Sequence, residues 1–313
     1  MNAPQHVLVG VDGSDESLHA LDWAAAYARR AGVELHVLSA YTLPGFTGSY
    51  SFAHDVPMVD DLYAKRYVED LLARAHERVV ATGVPATTEV TIADATTALA
   101  ERSARSGLVV VGARGAGGFM ERLLGTVSAN LPVRSACPTV VVPGRARADD
   151  DGSLAADSLD RFGKVVVGVD GSPSSDAALR AAVVQARAWG AAVELVRAVS
   201  LVGWSGSPWL DPGFRESVLG GARAELDRDV ARLRAEHPDL SVSADVVEGH
   251  ASDVLADSSA AADLLVVGSR GRGGIRGLLL GSTSQAVLRR SHCPVLIPAR
   301  ASERAGGGRT DGD

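Results

Sequence analysis

Two hydrophobic rhythms alternate along this chain. Short, nearly continuous apolar runs such as Val7-Leu-Val-Gly-Val11 and Leu108-Val-Val-Val111 read as strands buried on both faces. Between them, apolar residues recur every three or four positions: Leu18, Leu21, Ala25 and Ala28, then Val68, Leu72, Ala75 and Val79. That spacing is the stripe of a helix packed on one side. For the first half it predicts strands over 7–12, 34–40, 87–93, 108–111 and 139–142, with helices after each of the first four. The polar stretch from Tyr41 to Val56 is predicted as a long loop. The second half reads the same way. Strands alternating with helices imply a parallel sheet covered on both faces. The predicted class is α/β, with two tandem doubly wound five-stranded parallel sheets, each of strand order 3-2-1-4-5.

The halves are copies. Val7-Leu-Val-Gly-Val-Asp-Gly-Ser14 matches Val165-Val-Val-Gly-Val-Asp-Gly-Ser172, Val33-Glu-Leu35 matches Val193-Glu-Leu195, and Cys137-Pro matches Cys293-Pro. Expected boundaries are 1–147 and 163–300 for the two domains. The Asp/Ala/Arg/Ser-rich stretch 148–162 is a linker between them, and the Gly-rich tail 301–313 is expected to be disordered.

The most distinctive segments sit where this topology places ligands. With order 3-2-1-4-5, the crevice lies beyond the carboxyl ends of the first and fourth strands. Those ends carry Gly10-Val-Asp12 and a loop that reads Gly112-Ala113-Arg114-Gly115, nine residues, then Gly125-Thr126-Val127. The second copy has Gly168-Val-Asp170, then Gly268-Ser269-Arg270-Gly271, nine residues, and Gly281-Ser282-Thr283-Ser284. A strand, a glycine loop and a helix start in that order present backbone N–H groups and a positive helix end to an anion. The first glycine is expected to let the strand turn, and the second to admit phosphate oxygens close to the backbone. The third opens a helix to which Thr126 or Ser282 adds a hydroxyl. Gly118, Arg122 and Gly274 complete the candidate set, with Arg272 and Arg276 adding positive charge to the second loop.

At the other side of the crevice, Ser14 and Ser172 are expected N-caps. Asp15 and Glu16 already compensate the helix that Ser14 starts, so this side is read as repelling phosphate and receiving base and ribose. Asp12 and Asp170 would accept from ribose hydroxyls or base N–H groups. The plain structural alternative is an Asp-Gly turn after a strand.

Composition narrows the partners. A net charge of −7 argues against nonspecific nucleic-acid or anionic-membrane binding. No apolar run approaches the roughly 18–20 residues that span a bilayer, and no leader peptide is read at the start, so the expected compartment is the cytoplasm. The two cysteines, each before a proline, are read as small buried residues, with no zinc or Cys-x-x-Cys spacing. A P-loop requires a lysine beside its glycines, and the only lysines, Lys65 and Lys164, lie elsewhere. The first strand lacks the third glycine of a dinucleotide fingerprint. His250 is read as an exposed loop residue, and Trp204 and Trp209 as packing or interface residues.

Together, the duplicated strand-end aspartate and the doubled Gly-x2-Gly-x9-Gly-[Ser/Thr] spacing resemble the universal stress protein family, in its tandem, ATP-binding form. The likeness covers about residues 5–144 and 163–299. It implies a Rossmann-like, adenine nucleotide alpha hydrolase-like fold. It also implies ATP, alone or with Mg2+, held with adenosine at the first and second strand ends and phosphates on the glycine loop. No protein metal site is expected. One departure is Ala93, where the second copy has Gly249. Tandem members resemble a fused homodimer, so the repeats are expected to pair internally about a pseudo-twofold axis, with homodimerisation of the chain left open. The implied role is an ATP-binding regulator that acts through a protein partner, as yet unknown. A slow ATP hydrolase or phosphoryl-transfer enzyme is the alternative, disfavoured because no base and carboxylate set accompanies the loops.

Overall fold

The structure, a computed structural model, describes residues 6–42, 61–115, 124–144, 159, 161–201, 212–272 and 280–299. Most of the long polar loop and of the linker, the tail, Trp204, Trp209, Gly118, Arg122, Gly274 and Arg276 lie outside the described residues.

The first repeat runs β1 (His6–Gly10), α1 (Asp15–Ala31), β2 (Glu34–Tyr41), α2 (Asp61–Val80), β3 (Ala86–Ile92), α3 (Ala95–Ser103), β4 (Leu108–Gly112), α4 (Thr126–Arg134) and β5 (Thr139–Val142). The second runs β6 (Lys164–Gly168), α5 (Pro173–Trp189), β7 (Ala192–Val199), α6 (Pro212–Glu236), β8 (Val242–Glu248), α7 (Ala251–Ser258), β9 (Leu264–Val266), α8 (Ser282–Arg290) and β10 (Val295–Ile297). Local chemistry fixes the helix ends. The Ser14 and Ser172 hydroxyls accept from Ser17 N–H and Ser175 N–H, both at 3.2 Å, as expected of N-caps. Gly32 and Gly190 close the same helices in the left-handed region, φ 67° and 69°, where a Cβ would be strained.

Each repeat has the expected order 3-2-1-4-5, but the two sheets are not separate. They join into one ten-stranded sheet, β3-β2-β1-β4-β5-β10-β9-β6-β7-β8. All pairings within a repeat are parallel, and the seam between β5 and β10 is antiparallel. Its register is self-complementary: Val140 stands opposite Leu296, its own counterpart, with Thr139 opposite Ile297 and Val141 opposite Val295. That is the local signature of a pseudo-twofold axis, as expected of a fused pair.

Strand residues alternate between two cores. Val7, Val9, Val165 and Val167 face α1, α2, α5 and α6, while Leu8, Val109, Val166 and Leu265 face α3, α4, α7 and α8. On the first face the repeats meet through aromatic rings. Trp189 stacks on Phe162 at 4.1 Å between centroids and tilts against Trp23 at 5.4 Å, with the Arg30 guanidinium 5.3 Å from its ring centre. Leu159 and Phe162, at the end of the composition-defined linker, are therefore buried core residues. Cys137 and Cys293 are buried and unbridged, and burial pushes the Cys137 thiol up to about 11.

Candidate functional site

In the second repeat, β6 and β9 are neighbours whose following chains diverge to opposite faces of the sheet. The crevice at their carboxyl ends is a cavity of about 550 Å³, a size that suits a nucleotide-scale ligand. Strand-end Asp170, loop residues Arg270, Gly271 and Arg272, and the first turn of α8 line it. Asp170 is half-buried and engaged: Oδ1 accepts Ser172 N–H at 2.9 Å and Oδ2 accepts Arg272 N–H at 3.0 Å. Burial works to raise its pKa, but hydrogen bonds from Ser172, Arg272 and Ser175 outweigh it and hold the carboxyl below the usual range. Asp170 shapes the turn after its strand and also lines the cavity.

Packing within the protein also calls for the glycines. The first is needed because the loop passes against the start of the preceding helix. A Cβ on Gly112 would lie 2.7 Å from the Glu16 carbonyl, and one on Gly268 would lie 2.5 Å from Ser174 Oγ and 2.9 Å from Ser174 C. The second glycine crosses over the strand-end aspartate, where a Cβ would come within 2.3 Å of Asp12 Oδ2 or 2.8 Å of Asp170 Oδ2. The third packs on the loop itself, with the Arg114 or Arg270 Cα 3.3 Å from a built Cβ. Its N–H is already used, Gly125 donating to Ala113 O at 2.9 Å and Gly281 to Ser269 O at 2.8 Å.

Beyond that glycine the helix starts are open. Gly125 and Gly281 are the N-caps of α4 and α8, and neither supplies a side-chain cap. The first-turn N–H groups of Thr126–Ser128 and of Ser282–Ser284 thus lack the cap that Ser14 and Ser172 give to α1 and α5. Ser284, expected as a ligand contact, sends its hydroxyl back to Gly268 O at 2.7 Å, and Ser128 does the same to Ala113 O at 2.6 Å. Both hydroxyls tie the loop to the helix. Ser269 Oγ is buried without a hydrogen-bond partner, and Ala113 is buried beside the core of the α4 face. Their carbonyls are engaged within the loop, Ala113 O accepting from Gly125 N–H and Ser128 Oγ and Ser269 O from Gly281 N–H, and Ala113 N–H donates to Val142 O.

The first repeat repeats this frame with one altered charge relation. Asp12 Oδ1 accepts the Ser14 N–H at 3.0 Å and its hydroxyl at 2.6 Å. Arg114, however, reaches the first turn of α1 and pairs with Glu16 at 2.9 Å, both side chains partly buried. Glu16, with Asp15, is read from the sequence as compensating the start of α1 and repelling phosphate from that side. Close packing of Gly112 on Glu16 brings the loop and the helix start together. At the position matching Glu16 the second repeat has Ser174, whose Oγ accepts Arg270 N–H at 3.2 Å. The Arg270 side chain lines the cavity.

The second cavity thus brings together Gly168, Asp170, Gly268, Arg270, Gly271 and Gly281–Ser284. Arg197, Val196 and Ala198 of β7, with Ala251 and Leu255 of α7, form walls that the sequence reading left out. The signal was available: β7 pairs with β6 in register, so the end of the second strand must flank the site. His250 is exposed at the N-cap of α7, next to lining residue Ala251. The donor set fits a polyphosphate, with an uncapped helix start, two arginines and glycine-lined backbone. Among the described residues no group of three His, Cys, Asp or Glu could hold a metal, and no helix is long and apolar enough to cross a membrane.

Comparison with known proteins agrees with this architecture. A family model described as the universal stress protein family matches residues 4–143 and again 161–298. A universal stress protein of Mycobacterium tuberculosis is 34% identical over 298 residues, covering 94% of this chain and 97% of that protein. One from Mycolicibacterium smegmatis is 32% identical over 304 residues, covering 93% and 96%. The crystal structure of a universal stress protein from Archaeoglobus fulgidus superposes with a TM-score of 0.67 over 96% of this chain and all of that one, at 23% identity, which speaks to the fold.

Proposed function

This chain belongs to the universal stress protein family in its tandem form, and we propose that it is a regulatory ATP-binding protein with one nucleotide site per repeat. The observation that carries the reading is the cavity at the carboxyl ends of β6 and β9, where an uncapped helix start, Arg270, Arg272 and Asp170 converge. ATP would bring a polyanion, which suits the α8 N-terminus and the two guanidinium groups. Asp170 would accept from ribose hydroxyls or base N–H groups, and Val196, Ala198 and Leu255 offer apolar cover for a base. In the first repeat Gly10, Asp12, Gly115, Gly125, Thr126 and Val127 occupy the corresponding places.

Without a positioned water or base, cations and amides that hold a triphosphate need not favour its transition state over its ground state. Bound ATP therefore acts as a ligand that stabilises one conformation, by about 2.7 kcal/mol per site at 100 times the dissociation constant. In this reading the protein works in the cytoplasm, and its nucleotide state sets the choice of a protein partner. The test is to release and identify by mass spectrometry the nucleotide carried by natively purified protein, then to follow phosphate release with ATP and Mg2+. An adenine nucleotide with negligible turnover is expected. Absence of any nucleotide affinity would contradict the site, and turnover of several per second, abolished by Asp12→Ala with Asp170→Ala, would make it an enzyme.

A further inference from the structure

We infer, building on the nucleotide reading above, that the two sites are unequal: the second takes a triphosphate tightly and the first weakly, and Glu16 sets the difference. Glu16 is a positioning residue that acts through Arg114. Three observations meet here. Arg114 and Glu16 form an ion pair of 2.9 Å with side-chain exposures of 27% and 18%, so phosphates entering the first site must take Arg114 from a partner already in place. Glu16 has little room to withdraw, because its side chain lies against Gly144, where an added Cβ would sit 2.8 Å from its Cγ. In the second repeat the same helix position is Ser174, a neutral residue that fixes the loop through Arg270 N–H while the Arg270 side chain lines the cavity.

Charge at matching positions points the same way. Asp12, Asp15, Glu16, Leu18 and Arg114 carry a net −2, whereas Asp170, Pro173, Ser174, Asp176 and Arg270 carry −1. Arg272, at the cavity edge, stands where the first loop has Ala116. A carboxylate released beside a polyphosphate in a partly desolvated crevice repels it by an amount worth on the order of tenfold in affinity. The frame is otherwise shared, since the strand-end glycine and aspartate, the three loop glycines and the uncapped helix start all recur. The pair of sites is thereby a two-threshold reader of ATP, with the second repeat loaded first.

The test is calorimetric titration of nucleotide-free full-length protein and of Glu16→Gln, Glu16→Ser and Ser174→Glu, each with ATP and with adenosine. The parent is expected to bind one ATP tightly and a second at least about tenfold more weakly. Glu16→Gln, which keeps size and removes charge, should strengthen the weak site toward the tight one while leaving adenosine affinity unchanged. A merely structural role would move both ligands together. Ser174→Glu should weaken the tight site, and Glu16 already shows that a glutamate fits beside the loop glycine. Two equal sites in the parent, or an ATP affinity unmoved by both Glu16 variants, overturns the inference while leaving the nucleotide reading intact. No ATP binding by any variant overturns both.

Discussion

In the first repeat the loop arginine meets a glutamate from the neighbouring helix start; in the second, that helix position holds a serine and the loop arginine lines the cavity. Strand-end aspartates, loop glycines and the starts of α4 and α8 otherwise match in pattern, while Asp94 caps α3 and His250 gives α7 no side-chain cap. Even the third-strand departure leaves the hydrogen bonding alone, since Ala93 N–H and Gly249 N–H donate to Tyr41 O and Val199 O respectively. Duplication has thus kept the backbone cradle and let the charges beside it diverge. A fold fixes where amides point, whereas a single side chain can change which anion that place prefers.

The comparison breaks first if the repeats do not depend on a common seam. Trp189→Ala removes a buried ring shared by both halves and should cost about 3–5 kcal/mol, lowering the melting temperature in one cooperative transition and weakening both sites alike. Two separate transitions in calorimetry would show that the halves are independent. Next comes the loop's first glycine. Gly112→Ala drives a Cβ to 2.7 Å from the Glu16 backbone, whereas on Gly268→Ala the backbone clash with Ser174 is milder at 2.9 Å and the closer contact is with the hydroxyl. Denaturant unfolding should therefore show a loss of about 2–3 kcal/mol for Gly112→Ala and about 1–2 kcal/mol for Gly268→Ala; the reverse order would mean that the two loops pack differently.

A smaller effect belongs to the third glycine. Gly281→Ala presses on Arg270 Cα at 3.3 Å, shifting the loop and costing the second site about 1.5 kcal/mol of ATP binding, the scale of one hydrogen bond to a charged group. Gly125→Ala should do likewise to the first site only. Loss at both sites from either single variant would refute separate cradles. The smallest effect is on pH. The Asp170 carboxyl is held low in the folded state, so its stabilisation is present above its unfolded value of roughly 3.9 and fades as pH falls through the lower folded value. Asp170→Asn should flatten the acid limb of the stability profile below about pH 4, and an unchanged limb would mean that its hydrogen bonds contribute no net preference for the charged form.

What was legible in the sequence follows from range. Ser14, Ser172, Gly32 and Gly190 act within a few residues of themselves, and they cap the helices as their types predict. The parallel α/β class followed from apolar runs alternating with helical stripes, which allow the observed order 3-2-1-4-5. The β5–β10 seam did not, because a strand buried on both faces carries no mark of which edge it will join. Nor did Phe162, a single ring in a polar stretch, whose burial depends on Trp189 of another element. At the site, glycine spacing announced the loop, but the reason for Gly112 lies in a helix start far away in the chain. The Glu16–Arg114 pair was hidden for the same reason.

The most direct measurement is native mass spectrometry of the full chain across an ATP titration, counting bound nucleotides. The account predicts a singly loaded species that dominates over at least about a tenfold span of ATP concentration before a doubly loaded one replaces it, with Glu16→Gln collapsing that span. Species that fill in the statistical proportions of two identical sites, or a chain that carries no ATP at any concentration, would contradict it.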